Sequence, residues 1–195
     1  LCVLPGRATV GYRPRDLLRF PELLERVAQV PASLADHGGD MTVVLGSVAP
    51  GSADAGTARD IAIVLRPDGE PRLVAAADSA VVEVAGRRIG LLMQAPGADA
   101  AGPDGRVEEL RTRGVELLVI PAASPYRRGV RSRRFVAARR HGMPLVWVNG
   151  VGGQDGVIFD GGSFALDGDG RLIAALPRFD EAVEGFDLAS SEPAA

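Results

Sequence analysis

Two short apolar runs with an arginine-rich stretch between them constrain this chain more than anything else in it. Residues 115–120 read Val-Glu-Leu-Leu-Val-Ile, and residues 144–149 read Pro-Leu-Val-Trp-Val-Asn. Each run has strand length and is rich in β-branched residues, so each predicts a buried strand. Residues 127–141 carry seven arginines and predict a basic helix. Strands interleaved with helices, then late hairpins, predict a mixed α/β sandwich.

The rest of the chain fits around this centre. Residues 2–10 offer a short strand interrupted by Pro5 and Gly6. Residues 15–30 predict a helix with Leu17, Leu18, Leu23, Leu24 and Val27 on one face, stopped by Pro31. Strands are expected at 41–45 and 60–66, the second ending in a turn over 67–70. The stretch 67–79 reads as a loop, as does 51–56. Residues 80–84 and 88–93 form a hairpin around Ala85, Gly86 and Arg87. Residues 95–105 are expected to be irregular, and 107–113 a short helix capped by Gly114. A second hairpin pairs 157–160 with 163–167 across Gly161 and Gly162, and 171–176 is the last strand.

A length of 195 residues suits one domain at about 100–200 residues each. Residues 1–188 are read as that domain and 189–195 as a disordered tail. The net charge of −3 offers no global attraction to nucleic acid. No run reaches the ~18 apolar residues that cross a bilayer. Cys2 is the only cysteine, which excludes an internal disulfide and suits a reducing compartment, the cytoplasm. All 22 basic side chains are arginine, so no reaction that needs a lysine can run on this chain.

Three stretches carry a resemblance. The first is Gly11-Tyr12-Arg13-Pro14-Arg15-Asp16-Leu17-Leu18. The second is Ala123-Ser124-Pro125-Tyr126. The third is Val148-Asn149-Gly150-Val151-Gly152-Gly153-Gln154-Asp155, followed by Phe159-Asp160-Gly161-Gly162-Ser163-Phe164. In this order they resemble GYPPEDLL, ASP-[FY] and VNQVGGQD…FDGGSF of the glutamine-hydrolysing domain of glutamine-dependent NAD synthetases. That domain is of the nitrilase (carbon–nitrogen hydrolase) superfamily. The resemblance implies an α-β-β-α sandwich, here lacking its first strand and helix.

It also implies a chemistry. In the family a cysteine thiolate attacks the glutamine amide, a glutamate moves the protons, and a lysine stabilises the oxyanion. Here the glutamate position is Gly6, the nucleophile position is Gln94 with Ala95 after it, and no lysine exists anywhere. Arg66 and Arg72 are nearby cations, but neither aligns with the lysine. The expectation is a degenerate glutaminase domain associated by family with NAD biosynthesis and lacking amide hydrolysis. The competing expectations are an amidohydrolase with relocated chemistry, or a subunit that binds glutamine or another amide. Tyr12 and Ser124 are the vestigial pocket residues. A homo-oligomer or a synthetase partner is expected by resemblance, through a helix face.

The remaining residues are expected to serve structure. Phe20-Pro21-Glu22-Leu23 imitates the segment around the family glutamate, but the register places Glu22 and Glu25 on the solvent side of a helix. Cys2 has no activating base in view. Ser124 could instead cap the basic helix. His37 and His141 lack metal spacing, so no metal is expected, and no glycine pattern fits a dinucleotide, so no cofactor is. Arg127, Arg128, Arg131, Arg133, Arg134, Arg139 and Arg140 read as a solvated, interface-facing helix. Asp155 and Asp160 are expected to bond local backbone.

Overall fold

Strands that are apolar on both faces must be covered on both, and this sets the architecture. The structure is a computed structural model that describes residues 1–12, 14–35, 37–50, 58–67, 69–75, 80–93 and 104–188. In chain order the elements are β1 (Cys2–Val3), α1 (Pro21–Ala35), β2 (Val43–Pro50), β3 (Ala58–Arg66), β4 (Gly69–Ala75), β5 (Ala80–Val84) and β6 (Arg87–Leu91). Then come α2 (Asp104–Thr112), β7 (Leu117–Ala122), α3 (Val130–Arg139), β8 (Leu145–Asn149), β9 (Val151–Gln154), β10 (Val157–Asp160), β11 (Phe164–Leu166) and β12 (Leu172–Ala175).

The strands form a four-stranded sheet in the order β1-β2-β3-β4, a six-stranded sheet in the order β12-β11-β8-β7-β6-β5, and the separate pair β9-β10. Strands β6, β7 and β8 run parallel, and the remaining neighbours of the six-stranded sheet are antiparallel. Period-two alternation sorts the side chains. Val44, Ala62 and Val64 of one sheet meet Ile89, Leu91, Leu117, Val119, Val146 and Ala165 of the other. On the far side of the six-stranded sheet, Leu118, Ile120, Leu145 and Trp147 pack under Val107 and Leu110 of α2 and Ala138 of α3. On the far side of the other sheet, Leu45, Ile61, Ile63 and Leu65 are covered by Leu34 of α1. The layers are therefore α-β-β-α, as expected.

Local departures have local causes. The helix predicted over 15–30 is two pieces, a 3-10 turn at Arg15–Arg19 and then α1. Phe20 between them is extended at φ −88°, ψ 114°, as a residue before proline prefers. Pro21 then opens α1, where a missing N–H costs nothing. Pro31 does not stop the helix but lies inside it. Having no N–H, it leaves one i→i−4 hydrogen bond of the helix unmade. Leu17, expected on the apolar face, is 56% exposed. The loop expected over 67–79 is in part strand β4, paired antiparallel with β3. Pro71 hid it in the sequence, yet β4 is an edge strand with a register shift opposite Val64–Arg66, where proline is tolerated.

The hairpin between 157–160 and 163–167 does not form. Strand β10 pairs with β9 instead, and β11 joins β8 and β12. Asp155 and Gly156, at φ 50° and 76°, form the two-residue turn of β9-β10, for which Asp-Gly is a strong signal. Gly161 and Gly162, at φ 56° and 61°, turn the chain out of that pair and into the large sheet. The hairpin β5-β6 and the helix α2, closed by the Gly114 N–H on the Arg111 carbonyl, stand as expected. Gln94, residues 51–57 and 95–103, and residues 189–195 lie outside the described residues, while residues 104–105, expected to be irregular, open α2.

Candidate functional site

Because β6, β7 and β8 are parallel, their C-terminal ends share one edge of the sheet, the place where open α/β sheets take ligands. Strand β6 leads to Met93, β7 leads to Ser124, and β8 ends at Asn149. The segment after β1 reaches the same edge. The Gly6 N–H donates to the Ala122 carbonyl at 2.9 Å, and the Gly46 N–H donates to the Pro5 carbonyl at 3.0 Å. Gly6 thus bridges the two sheets.

That bridge leaves no room at position 6. A β-carbon on Gly6 would stand 2.8 Å from the Ala122 carbonyl carbon and 3.0 Å from the Ala123 nitrogen. One on Gly46 would stand 2.4 Å from the Gly6 α-carbon. Two glycines are therefore stacked against Ala122. Beside them Arg7, in the left-handed region at φ 56°, forms a forked ion pair with Asp60 at 2.6 and 3.1 Å.

Ser124 is 2% exposed and its polar atoms are engaged. Its N–H donates to Asn149 Oδ1 at 2.8 Å, and its carbonyl accepts from Asn149 Nδ2 at 3.1 Å. Its Oγ and carbonyl each accept from Arg134 Nη2 at 2.9 Å. The N-cap of α3 is Gly129, so Ser124 does not cap that helix. The Asn149 N–H donates to Ser163 Oγ at 3.0 Å, which ties β8 to the start of β11.

At the centre of this network is Asp160, with no exposed surface. It does not bond local backbone through its carboxylate. Arg134 Nη1 donates to Oδ1 at 3.0 Å and Arg178 Nε to Oδ2 at 3.1 Å. The Arg134 guanidinium also lies 4.6 Å from the Trp147 ring centroid, a cation–π contact. Thus one arginine of the basic helix points inward, 2% exposed, while Arg127, Arg128, Arg131, Arg133, Arg139 and Arg140 are exposed. The sequence did hold a clue to the pair: an acid directly after Val-Ile-Phe in a strand is buried and must find a cation.

Tyr12 is buried at 4%. Its N–H donates to Gln154 Oε1 at 2.9 Å, and its ring meets the Phe159 ring edge-on at 4.9 Å. It borders a cleft of about 360 Å³ shared with Pro125, Tyr126, Arg127 and the β10 residues Val157 and Ile158. Ser124 is not in its wall, so the two expected pocket residues are neighbours in the fold without sharing a cavity. A larger, mostly apolar groove of about 820 Å³ opens on the other side of Asn149, between β1, the inner face of the large sheet and residues 180–188.

The remaining candidates are dispersed. Glu22 and Glu25 are exposed on α1. Cys2 is half-buried in β1, its N–H on the Thr42 carbonyl at 2.8 Å. His37 is an exposed residue bonded to the Ser33 carbonyl at 2.9 Å, and His141 is buried. Among the described residues no three His, Cys, Asp or Glu side chains gather as metal ligands, and no helix is long and apolar enough to cross a membrane.

No family model matches the chain. It is 29% identical over 98% of its length to the glutamine-dependent NAD(+) synthetase of Xanthomonas campestris pv. campestris, of which that alignment covers 38%. A stretch of 83 residues is 48% identical to the enzyme of the same name from Rhodobacter capsulatus, covering 40% of this chain and 15% of that one. Among solved structures, glutamine-dependent NAD+ synthetase from Acinetobacter baumannii, in complex with ADP, superposes with a TM-score of 0.79 at 25% identity, over 92% of this chain and 37% of that one. The nitrilase-superfamily amidase of Nesterenkonia AN1 superposes with a TM-score of 0.72 at 19% identity, over 90% and 72%. The chain spans less than two fifths of the length of the synthetases it matches.

Proposed function

From the premise that this chain is a relative of the glutamine-dependent NAD+ synthetases with the fold of the nitrilase, or carbon–nitrogen hydrolase, superfamily, we propose that it is a glutaminase-type domain that no longer hydrolyses amides. The carrying observation is at position 6. By resemblance the proton-transferring glutamate belongs there, and the residue is a glycine whose β-carbon direction is blocked at 2.8 Å by backbone. The lysine-free sequence supports the reading, as does Gln94 at the nucleophile position, since an amide is no nucleophile at neutral pH. A relocated site gains little support. Ser124 Oγ is occupied by Arg134, and Glu22 lies on the surface of α1.

On this reading the domain occupies residues 1–188 and works in the cytoplasm as a structural or regulatory subunit, beside a second copy or a synthetase partner. One observation favours a second reading, retained recognition of glutamine or another amide. Tyr12 still borders a cleft with Tyr126 and Arg127, a cation suited to a carboxylate. One set of samples tests both. Glutamate release from glutamine, followed for hours at high protein concentration, is expected to equal a heat-denatured control. Reproducible release that vanishes in Ser124→Ala or Glu22→Gln rejects the proposal. Calorimetric titration of glutamine decides the second reading: saturable heat weakened by Arg127→Ala supports it, and no heat disposes of it.

A further inference from the structure

The pair β9-β10 belongs to neither large sheet, and its two ends are held differently. At the base Phe159 and Asp160 are buried, and Asp160 is fixed between Arg134 and Arg178. At the tip Gln154, Asp155, Gly156 and Ile158 are exposed, as is every residue of β9. Between base and tip, β9 carries Gly152 and Gly153 in succession, paired with Phe159 and Ile158. Gly152 sits at φ 117°, a backbone conformation that needs glycine. A β-carbon on Gly153 would meet nothing nearer than the Val157 carbonyl oxygen at 3.8 Å, so packing does not call for glycine there. Glycine within a strand weakens it and marks a bend.

Two hydrogen bonds tie the tip to the body of the domain. The Tyr12 N–H donates to Gln154 Oε1 at 2.9 Å, and the Tyr126 N–H donates to the Ile158 carbonyl at 2.7 Å. Gly11 makes the first possible, because a β-carbon there would fall on the Gln154 side-chain amide. The cleft lies between these two ties. Tyr12, Pro125, Tyr126 and Arg127 form its fixed side, and Gly156, Val157 and Ile158 of the tip form the other. One small element is thus a cleft wall, is bonded to the opposite wall, and has two glycines behind it.

We propose that residues 153–158 are a flap that swings about Gly152 and Gly153, and that Gln154 is the latch that closes it over the Tyr12 cleft. Opening breaks both ties together and carries Val157 and Ile158 away from Tyr12 and Tyr126, which admits a ligand. The base does not move, because Asp160 remains between its two arginines. The latch is one neutral hydrogen bond from an exposed side chain, so it shifts the opening equilibrium modestly rather than locking it. The device governs access to the cleft whichever ligand enters, and is independent of whether that ligand is glutamine.

Amide hydrogen exchange of the full chain, resolved by NMR, tests it. In the wild type the Tyr12 and Tyr126 amides are expected to exchange at similar protection, through one local opening, and faster than the amides of β7. The Tyr126 amide keeps its own partner when Gln154 is replaced, so it reports on the flap alone. Gln154→Ala is expected to speed its exchange roughly three- to tenfold and to leave the β7 amides unchanged. Gln154→Glu retains an acceptor oxygen and is expected to stay within about twofold of the wild type. Gly11→Ala displaces the latch, so adding Gln154→Ala to it is expected to speed the Tyr126 amide no further. Gly153→Ala stiffens the hinge and is expected to slow that amide about two- to fivefold. A Tyr126 amide unmoved by Gln154→Ala overturns the proposal. So does one that exchanges no faster than β7 in the wild type, additive Gly11→Ala and Gln154→Ala effects, or a Gly153→Ala rate equal to the wild type.

Discussion

Positions 160 and 6 belong to the same neighbourhood and have been treated in opposite ways. At 160 a carboxylate is completely buried between two guanidiniums, and those arginines come from α3 and from the segment after β12. At 6, where the resemblance would put a carboxylate, there is no side chain, and the backbone has closed against Ala122 and Gly46. The first arrangement holds elements together, while the second brings two sheets into contact. The difference teaches that framework and chemistry are separable in this fold. The Arg134–Asp160–Ser124–Asn149 network can keep the strand ends in place whether or not anything reacts there.

The contrast is broken most forcefully from the framework side. Removing one partner of a buried ion pair leaves the other charge unsolvated. Asp160 keeps Arg178 on Oδ2, so Arg134→Met is expected to lower the unfolding free energy by about 2–3 kcal/mol, read from urea denaturation. Ser124 loses its donor in the same variant. A loss under about 1 kcal/mol would mean that water reaches Asp160 and that the network does not hold the edge. Gly6→Glu attacks the other side. The new β-carbon must displace backbone, so a loss of about 1–3 kcal/mol is expected, without glutamate release from glutamine. Gly6→Glu protein that melts like the wild type would show that the sheets separate readily, and position 6 would again be open to a functional carboxylate.

Much of the fold could be read in advance because its signals are local. The runs that became β7 and β8, the β5-β6 turn and the end of α2 each depend on residues within a few positions of one another. Strand β4 could not be read, because what excuses Pro71 is its place at a sheet edge, a fact about other strands. The β9-β10 pair was legible in Asp155-Gly156 but was masked by the more conspicuous Gly161-Gly162. At the site, Gly6 and Ser124 could be located by motif, yet the state of each depends on contacts more than a hundred residues or ten residues away, with Ala122 and Arg134. The inward turn of Arg134 among outward arginines was recoverable only by asking which cation a buried Asp160 could find.

The smallest effect sharpens the comparison by removing burial while keeping the chemistry. Arg87 and Glu116 also form an arginine–carboxylate pair, at 3.0 Å, but their side chains are 64% and 45% exposed. Water already solvates both ions, and holding two flexible side chains together costs entropy, so such pairs contribute little. Arg87→Gln is expected to change the unfolding free energy by less than about 0.5 kcal/mol, with salt narrowing even that difference. The denaturation series that reports on Arg134→Met measures it directly. If Arg87→Gln costs as much as Arg134→Met, then burial is not what distinguishes position 160, and the argument from desolvation fails for both pairs. If the two differ as expected, the stability of this strand edge is assigned to the enclosure of Asp160 rather than to ion pairing as such.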